Sequence, residues 1–220
     1  MWFLKKIKGI RKIKKKYPVN FTNDFLFIHI PKNGGSSLVK AFGFKGVTHI
    51  KAQEIINTNR SELLRSRFSF AIARHPYDRF LSLYNYARMP ISHYHNNIEP
   101  EKAKHGIHLD YKLLKDASLL ECAQLLKKGK LKHDLAWNQW EPQVTWIFDS
   151  SDKCLVSKIY QLENLKELEV DFLEKFQMNL KIPIVNKSQG EKEDLSQEVK
   201  MILDVYYDKD FKLLNYKKGL

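Results

Sequence analysis

Phe25-Leu26-Phe27-Ile28-His29-Ile30-Pro31-Lys32-Asn33-Gly34-Gly35-Ser36-Ser37-Leu38-Val39-Lys40-Ala41-Phe42 decides how this chain is read. Its first six residues form a nearly continuous apolar run, suited to a strand buried on both faces. Residues 31 to 36 make a glycine-containing turn, and Ser37 to Phe42 read as the helix that follows. Paired glycines let a backbone wrap closely around an anion, and the amides at a helix start add donors and the positive end of the dipole. Lys32 contributes a point charge, and Ser36 and Ser37 contribute hydroxyl donors. In a Walker A loop the lysine follows the last glycine and adjoins a magnesium-binding Ser or Thr. Here the lysine precedes the glycines, so the turn is a different device. An ordinary strand-to-helix turn is the plainer alternative.

Outward from this stretch, Val47 to Ile50 reads as a short second strand and Ala52 to Leu64 as an imperfect helix. Phe68 to Ala73 is another buried-strand run, and Arg79 to Arg88 is a helix rich in aromatics. Leu119 to Lys128 reads as a helix, Leu155 to Leu162 as a late strand, and Leu165 to Phe176 and Leu195 to Tyr207 as helices. The alternation predicts an α/β fold: three layers around a central parallel sheet, opened by a P-loop-NTPase-like strand–phosphate loop–helix unit, in a single domain. That domain is expected over residues 19–220, behind a basic arm at 1–18.

A second signal is Arg74-His75-Pro76-Tyr77-Asp78-Arg79-Phe80-Leu81-Ser82-Leu83-Tyr84. Arg74 closes a buried strand, where open α/β sheets bind their ligands. With Ser82 on the first turns of the next helix, a guanidinium fork and a hydroxyl would clamp a second phosphate. Arg79 has a plainer reading, a structural ion pair with an acid such as Asp78 or Asp24.

Pro-Lys-x-Gly-Gly-Ser-Ser after a strand, then Arg-x-Pro-Tyr-x-Arg-x-x-Ser-x-Tyr about forty residues on, resemble the two cofactor motifs of sulfotransferases that use 3′-phosphoadenosine 5′-phosphosulfate (PAPS). The resemblance is to the carbohydrate branch, typified by Golgi and bacterial glycan sulfotransferases. Trp140-Glu141-Pro142-Gln143, Glu163-Asn164-Leu165, Val185-Asn186-Lys187-Ser188 and Tyr206 to Phe211 extend it, so that it spans about residues 25 to 211. It implies that the turn from Lys32 through Asn33, Gly34, Gly35 and Ser36 to Ser37 holds the 5′-phosphosulfate, and Arg74 with Ser82 the 3′-phosphate. Lys187 and Ser188 would approach the adenosine side. A bis-phosphorylated nucleotide answers the demand for two separated phosphate sites without a metal.

Sulfuryl transfer to a hydroxyl needs a base for the proton and positive charge on the oxygen that leaves. Lys32 suits the second role. For the base, the resemblance points to the end of the second strand, where His49 stands, with Glu54 one helical turn further. An ordinary histidine titrates near pH 6.5 and is a neutral base in the cell, so His49 is preferred to Glu54. His29 reads as a packed or loop-supporting residue and His75 as incidental. His93, His95, His105 and His108 match neither His-Glu-x-x-His nor a Cys/His finger, so no metal is expected. They fall in a polar stretch, 89–110, expected to contact the acceptor. Trp137, Trp140, Trp146 and Tyr94 are candidates for stacking on sugar rings, with Trp146 read equally as core.

The 220 residues carry 38 Lys plus Arg against 25 acids, for a net charge of +13. Eight of those bases lie in residues 1–16, which hold no acid, so the remaining chain has an excess of five. Phe3, Ile7, Ile10 and Ile13 give the arm an apolar stripe. It reads either as an amphipathic helix on an anionic membrane or as a solvated tail. Cys122 and Cys154 are too few for a disulfide framework and are expected to be reduced and buried. Without a secretory h-region or an apolar run long enough to span a bilayer, the expectation is a cytoplasmic enzyme, peripheral at the inner face of the membrane if the arm binds there. A P-loop kinase or other NTP-dependent enzyme is the enzymatic alternative. A basic nucleic-acid-binding protein is the alternative from another class, though no nucleic-acid motif is visible and no nucleic-acid partner is expected.

Overall fold

The computed structural model describes residues 22, 24–44, 49–57, 61–90, 108–131, 138–183 and 193–219. In chain order its elements are β1 (Phe25–Ile28), α1 (Gly35–Phe42), α2 (Ala52–Ile55), α3 (Ser61–Arg65), β2 (Phe68–Ala73) and α4 (Pro76–Ala87). There follow α5 (Tyr111–Leu114), α6 (Leu119–Lys127), α7 (Val144–Ile147), β3 (Lys158–Gln161), α8 (Leu165–Phe176), α9 (Gln197–Tyr206) and α10 (Asp208–Leu213). They gather into two compact units, Met1–Arg74 with Gln143–Lys187, and His75–Pro142 with Ser188–Leu220. The chain passes between them at Arg74–His75 and Pro142–Gln143, inside two of the motifs quoted above.

The first unit holds the α/β element expected from sequence. Its three strands run parallel in the order β1-β2-β3, with Phe27 opposite Phe70 and Ala71 opposite Ile159. Every residue of β1 is buried, as an unbroken apolar run requires. Phe172 of α8 meets Phe25, Phe42 and Phe70 edge-on at 5.1, 5.0 and 5.1 Å between ring centroids. That geometry suits the ring quadrupoles, and truncating such a buried ring to alanine costs about 3–5 kcal/mol. Lys158 and Tyr160 of β3 both donate to Asp171 of α8, at 2.8 and 2.7 Å, and hold its carboxyl below the usual range.

The second unit has a helical core around Phe80, Leu83, Tyr84, Leu126, Trp140, Leu203 and Tyr207. Trp140 Nε1 donates to Asp110 at 2.8 Å, and the Tyr207 hydroxyl donates to the Trp140 carbonyl at 3.0 Å. Helix α6 opens with a capping box, Ser118 and Glu121 each bonding the other's backbone amide.

Several sequence expectations need correction. His49 and Ile50 lie outside any strand, and residues 45–48 fall outside the described ones. Of the helix expected over Ala52 to Leu64, α2 and α3 are the described α-helical parts, with a π-helical turn at residues 56–57, and 58–60 lie outside the description. Helix α4 starts at Pro76 rather than Arg79, because proline at the first helical position loses no hydrogen bond. The late strand shrinks to Lys158–Gln161, since residues 155–157 lie outside it and Leu162–Asn164 turn into a 3-10 helix. Cys122 is buried as expected, but Cys154 is exposed, on an isolated bridge with Phe148 rather than in a packed element.

Candidate functional site

The turn between β1 and α1 is built on unusual backbone. Lys32 has φ 68° and Gly34 φ 78°. The left-handed region is rare for a residue with a Cβ, and such strain persists only where its surroundings hold it. Gly34 tolerates it for want of a side chain, and a Cβ there would lie 2.5 Å from Leu162 Cδ1. Gly35 is required for a different reason: a Cβ would come within 1.9 Å of His29 Nε2. The amides of Ser37 and Leu38 fold back to the Gly34 carbonyl at 3.0 and 3.3 Å, which starts the helix. Ser36 is exposed, whereas Ser37 is buried beneath it.

Around this turn the first unit collects Asn33, Arg74 and Gln143. Asn33 Nδ2 donates to the Ile72 carbonyl at 2.7 Å and to Gln143 Oε1 at 2.6 Å. Gln143 Oε1 accepts from the Arg74 amide at 2.9 Å, and its Nε2 donates to the Arg74 carbonyl at 2.8 Å. Arg74 Nη1 reaches the Lys32 carbonyl at 3.3 Å. Burial, and then the Arg74 charge, push the Lys32 ammonium down to about 8. Two cationic side chains crowded at one sheet edge have each other's charge to bear, and an anion relieves both.

The histidines come next. His49 Nδ1 stands 3.2 Å from the His29 carbonyl, and the two rings stack at 4.2 Å with 25° between planes. A carbonyl only accepts, so the proton is on Nδ1 and the lone pair on Nε2. Trp146, buried in α7, meets the His49 ring edge-on, with 6.1 Å between centroids. His29 itself is 7% exposed and is held well below the usual imidazole range by burial, then by His49 and Lys32. It supports both the turn and the His49 ring, which agrees with its reading as a loop-supporting residue. Glu54 projects to solvent from the short α2.

Lys32, Asn33, Gly34, Gly35, Ser36, Ser37, His49 and Arg74 thus lie in the first unit, and Ser82, half-buried on α4, belongs to the second. Arg79 is a structural residue by another route than a carboxylate pair: 1% exposed, it donates to the carbonyls of Gln139 and Glu141 at 2.6 and 2.9 Å. His75 is not incidental, since its Nε2 bonds the Lys217 carbonyl at 3.1 Å and its ring packs on Tyr77, Phe211 and Tyr216. Trp140 is corrected from a sugar-stacking candidate to core, being fully buried. His108 is buried too, with Nδ1 accepting from the Asp110 amide at 3.0 Å. Lys187, Ser188, His93, His95, His105, Tyr94, Trp137 and the arm at 1–18 lie outside the described residues. Among the described residues, no three or more His, Cys, Asp or Glu side chains cluster as metal ligands would.

Sequence reasoning missed Gln143. It stood in a quoted motif without a role, because its partners are 69 and 110 residues away. A family model described as "Sulfotransferase family" matches residues 15–217. No curated protein matches the chain.

Proposed function

The chain belongs to the sulfotransferase family, and on that premise we propose that it transfers a sulfuryl group from PAPS to a hydroxyl of a glycan or glycolipid, in line and without a metal. The observation that carries the reading is the pairing of Lys32 with Arg74 at the end of β1 and β2, where the Arg74 guanidinium reaches the Lys32 carbonyl and burial, then the Arg74 charge, lower the lysine. The backbone between them fits a phosphate, with Gly34 and Gly35 bare of side chain and the start of α1 at Gly35 capped by no side chain. The β1–turn–α1 unit is then a P-loop-like cradle in a three-layer fold. Its lysine precedes the glycines, which leaves no adjoining hydroxyl for magnesium as in a Walker A loop.

When bound, the nucleotide supplies the sulfuryl group in activated form. Lys32 to Ser37 hold its 5′ end, and Arg74 holds the 3′-phosphate. Lys32 Nζ offsets the negative charge that gathers on the departing oxygen. His49 takes the acceptor's proton on Nε2, the nitrogen left basic by the bond from Nδ1 to the His29 carbonyl. That tautomer favours His49 over Glu54, whose solvent-facing position gives it no such orientation. Lys187 and Ser188 contact the adenosine side, residues 89–110 the acceptor, and the basic arm an anionic membrane surface at the cytoplasmic face.

Calorimetric titration with 3′-phosphoadenosine 5′-phosphate (PAP), the desulfated product, tests the reading. Saturable binding is expected; none at millimolar nucleotide would sink it. Turnover of radiolabelled PAPS with a panel of glycans and lipid-linked saccharides then identifies the acceptor. Magnesium-dependent ATP hydrolysis in the same preparation would instead favour an NTP-dependent enzyme.

A further inference from the structure

We propose that Gln143 is a positioning residue that locks Arg74 and the 31–37 turn into one frame, so that a nucleotide with two separated phosphates is held as a unit. The proposal rests on the nucleotide reading above. Gln143 is fully buried at the start of α7. Its amide oxygen receives the Arg74 N–H at 2.9 Å and Asn33 Nδ2 at 2.6 Å, and its amide nitrogen donates to the Arg74 carbonyl at 2.8 Å. Rotating that amide by half a turn would set donor against donor twice and acceptor against acceptor once, so its orientation is unique.

The pattern is that of a neighbouring strand supplied by one side chain. β2 ends at Ala73, yet both backbone groups of Arg74 are satisfied, by the one Gln143 amide. A backbone held at both its donor and its acceptor fixes the point from which the side chain departs. The same amide oxygen also holds Asn33, which lies between Lys32 and Gly34, both of positive φ. The second donor bond of Asn33 goes to the Ile72 carbonyl of β2 at 2.7 Å. One side chain therefore connects the lysine turn and the arginine at heavy-atom distances under 3 Å. Being neutral, it does so without cancelling either positive charge, as a carboxylate in its place would. Its position in the chain suits the task, since Arg74 and Gln143 are the residues at which the chain leaves and re-enters the first unit.

The test compares PAP with 5′-AMP, which lacks the 3′-phosphate, on wild type, Gln143→Met and Gln143→Glu. Methionine keeps the length of the side chain and removes all three hydrogen bonds. Glutamate keeps the accepting oxygen and sets its other oxygen against the Arg74 carbonyl. In Gln143→Met the PAP affinity is expected to fall about 10- to 100-fold, the scale of a misplaced binding group. The 5′-AMP affinity should fall less, so that the preference for PAP collapses; KM for PAPS rises while KM for the acceptor stays. Gln143→Glu should show the same selective loss, and it carries the test if the methionine variant does not fold. A merely structural role would lower both nucleotides in proportion to the folded fraction and leave their ratio intact, which would overturn the proposal. Wild-type PAP affinity in a folded variant would overturn it as well. Absence of PAP binding to the wild type would instead remove the nucleotide reading itself, and this inference with it.

Discussion

Arg74 and Arg79 stand five residues apart in one motif, and the two regions they occupy treat the same side chain in opposite ways. Arg79, in the helical unit, is 1% exposed, and its guanidinium is engaged with the carbonyls of Gln139 and Glu141. Arg74, at the end of the parallel sheet, is half-buried, has its backbone held by Gln143, and reaches the Lys32 carbonyl at a long 3.3 Å. Where chain carbonyls converge in a core, a guanidinium becomes internal scaffolding. Where it is set beside another cation at the end of the sheet, its charge adds to burial in lowering the neighbouring lysine's proton affinity. The sheet edge also retains costs that a purely structural region avoids. Lys32 is in the left-handed region, and His29 Nδ1 and Asn33 Oδ1 are buried with no hydrogen-bond partner among the described residues.

The sharpest way to test the sheet edge as the reactive region is His49→Ala. Turnover should fall about 10²- to 10⁴-fold, the usual contribution of a general base, while PAP affinity measured by calorimetry stays at the wild-type value. Loss on Glu54→Ala with His49→Ala still active would move the base to Glu54. The two arginines come next. Arg79→Ala strands two carbonyls that bonded a charged group, each bond worth about 1.5–3 kcal/mol, so urea unfolding should show a loss of about 3 kcal/mol or more. Arg74→Ala should leave the unfolding midpoint near wild type and weaken PAP binding about 10- to 100-fold, the loss of a charged hydrogen bond to phosphate. The opposite pattern would break the distinction drawn between them.

The pH dependence follows from Lys32. Its ammonium is lowered to about 8 by burial and Arg74, and a bound anion raises it again. PAP affinity should therefore be at its plateau below pH 8 and decline as pH rises above it, because binding must then take up a proton. Calorimetry in buffers of different ionisation enthalpy would show that uptake at pH 8.5 and its disappearance in Lys32→Met. Affinity that rises with pH would contradict the assignment. The smallest effect on catalysis is expected from deleting residues 1–16, which should reduce binding to anionic liposomes and leave turnover of a soluble acceptor unchanged. Unchanged liposome binding would mark the arm as a tail.

How much was legible depends on range. The apolar run of β1, the bare glycines and the helix start are local features, and they folded as a strand–turn–helix unit in the predicted place. Parallel pairing followed from the same run and from Phe68 to Ala73, since strands apolar on both faces must be covered on both. Trp140 shows the limit. A tryptophan near polar sequence reads as a sugar platform or as core with equal ease, and only its packing in the second unit, with Nε1 on Asp110, decides the matter. Arg79 shows it again: arginine suggests a carboxylate partner, but backbone carbonyls carry no sequence signature. His49 was chosen from its typical proton affinity and its place in the chain; His49 itself lies outside any strand, and a carbonyl and a stacked histidine orient it.

The sequence by itself determined a basic arm distinct from a nearly balanced body, an α/β element opening on a glycine turn, and two motifs that together name a family. These are properties of composition and of neighbours within a few residues, which chain connectivity alone brings together. Tertiary packing settled that Arg79 is engaged by two core carbonyls whereas Arg74 stands beside Lys32, which nitrogen of His49 carries the proton, and that Gln143 bonds residues of both motifs. Each of those depends on donor and acceptor groups separated by many residues, and their meeting is set by packing that no short window of sequence contains.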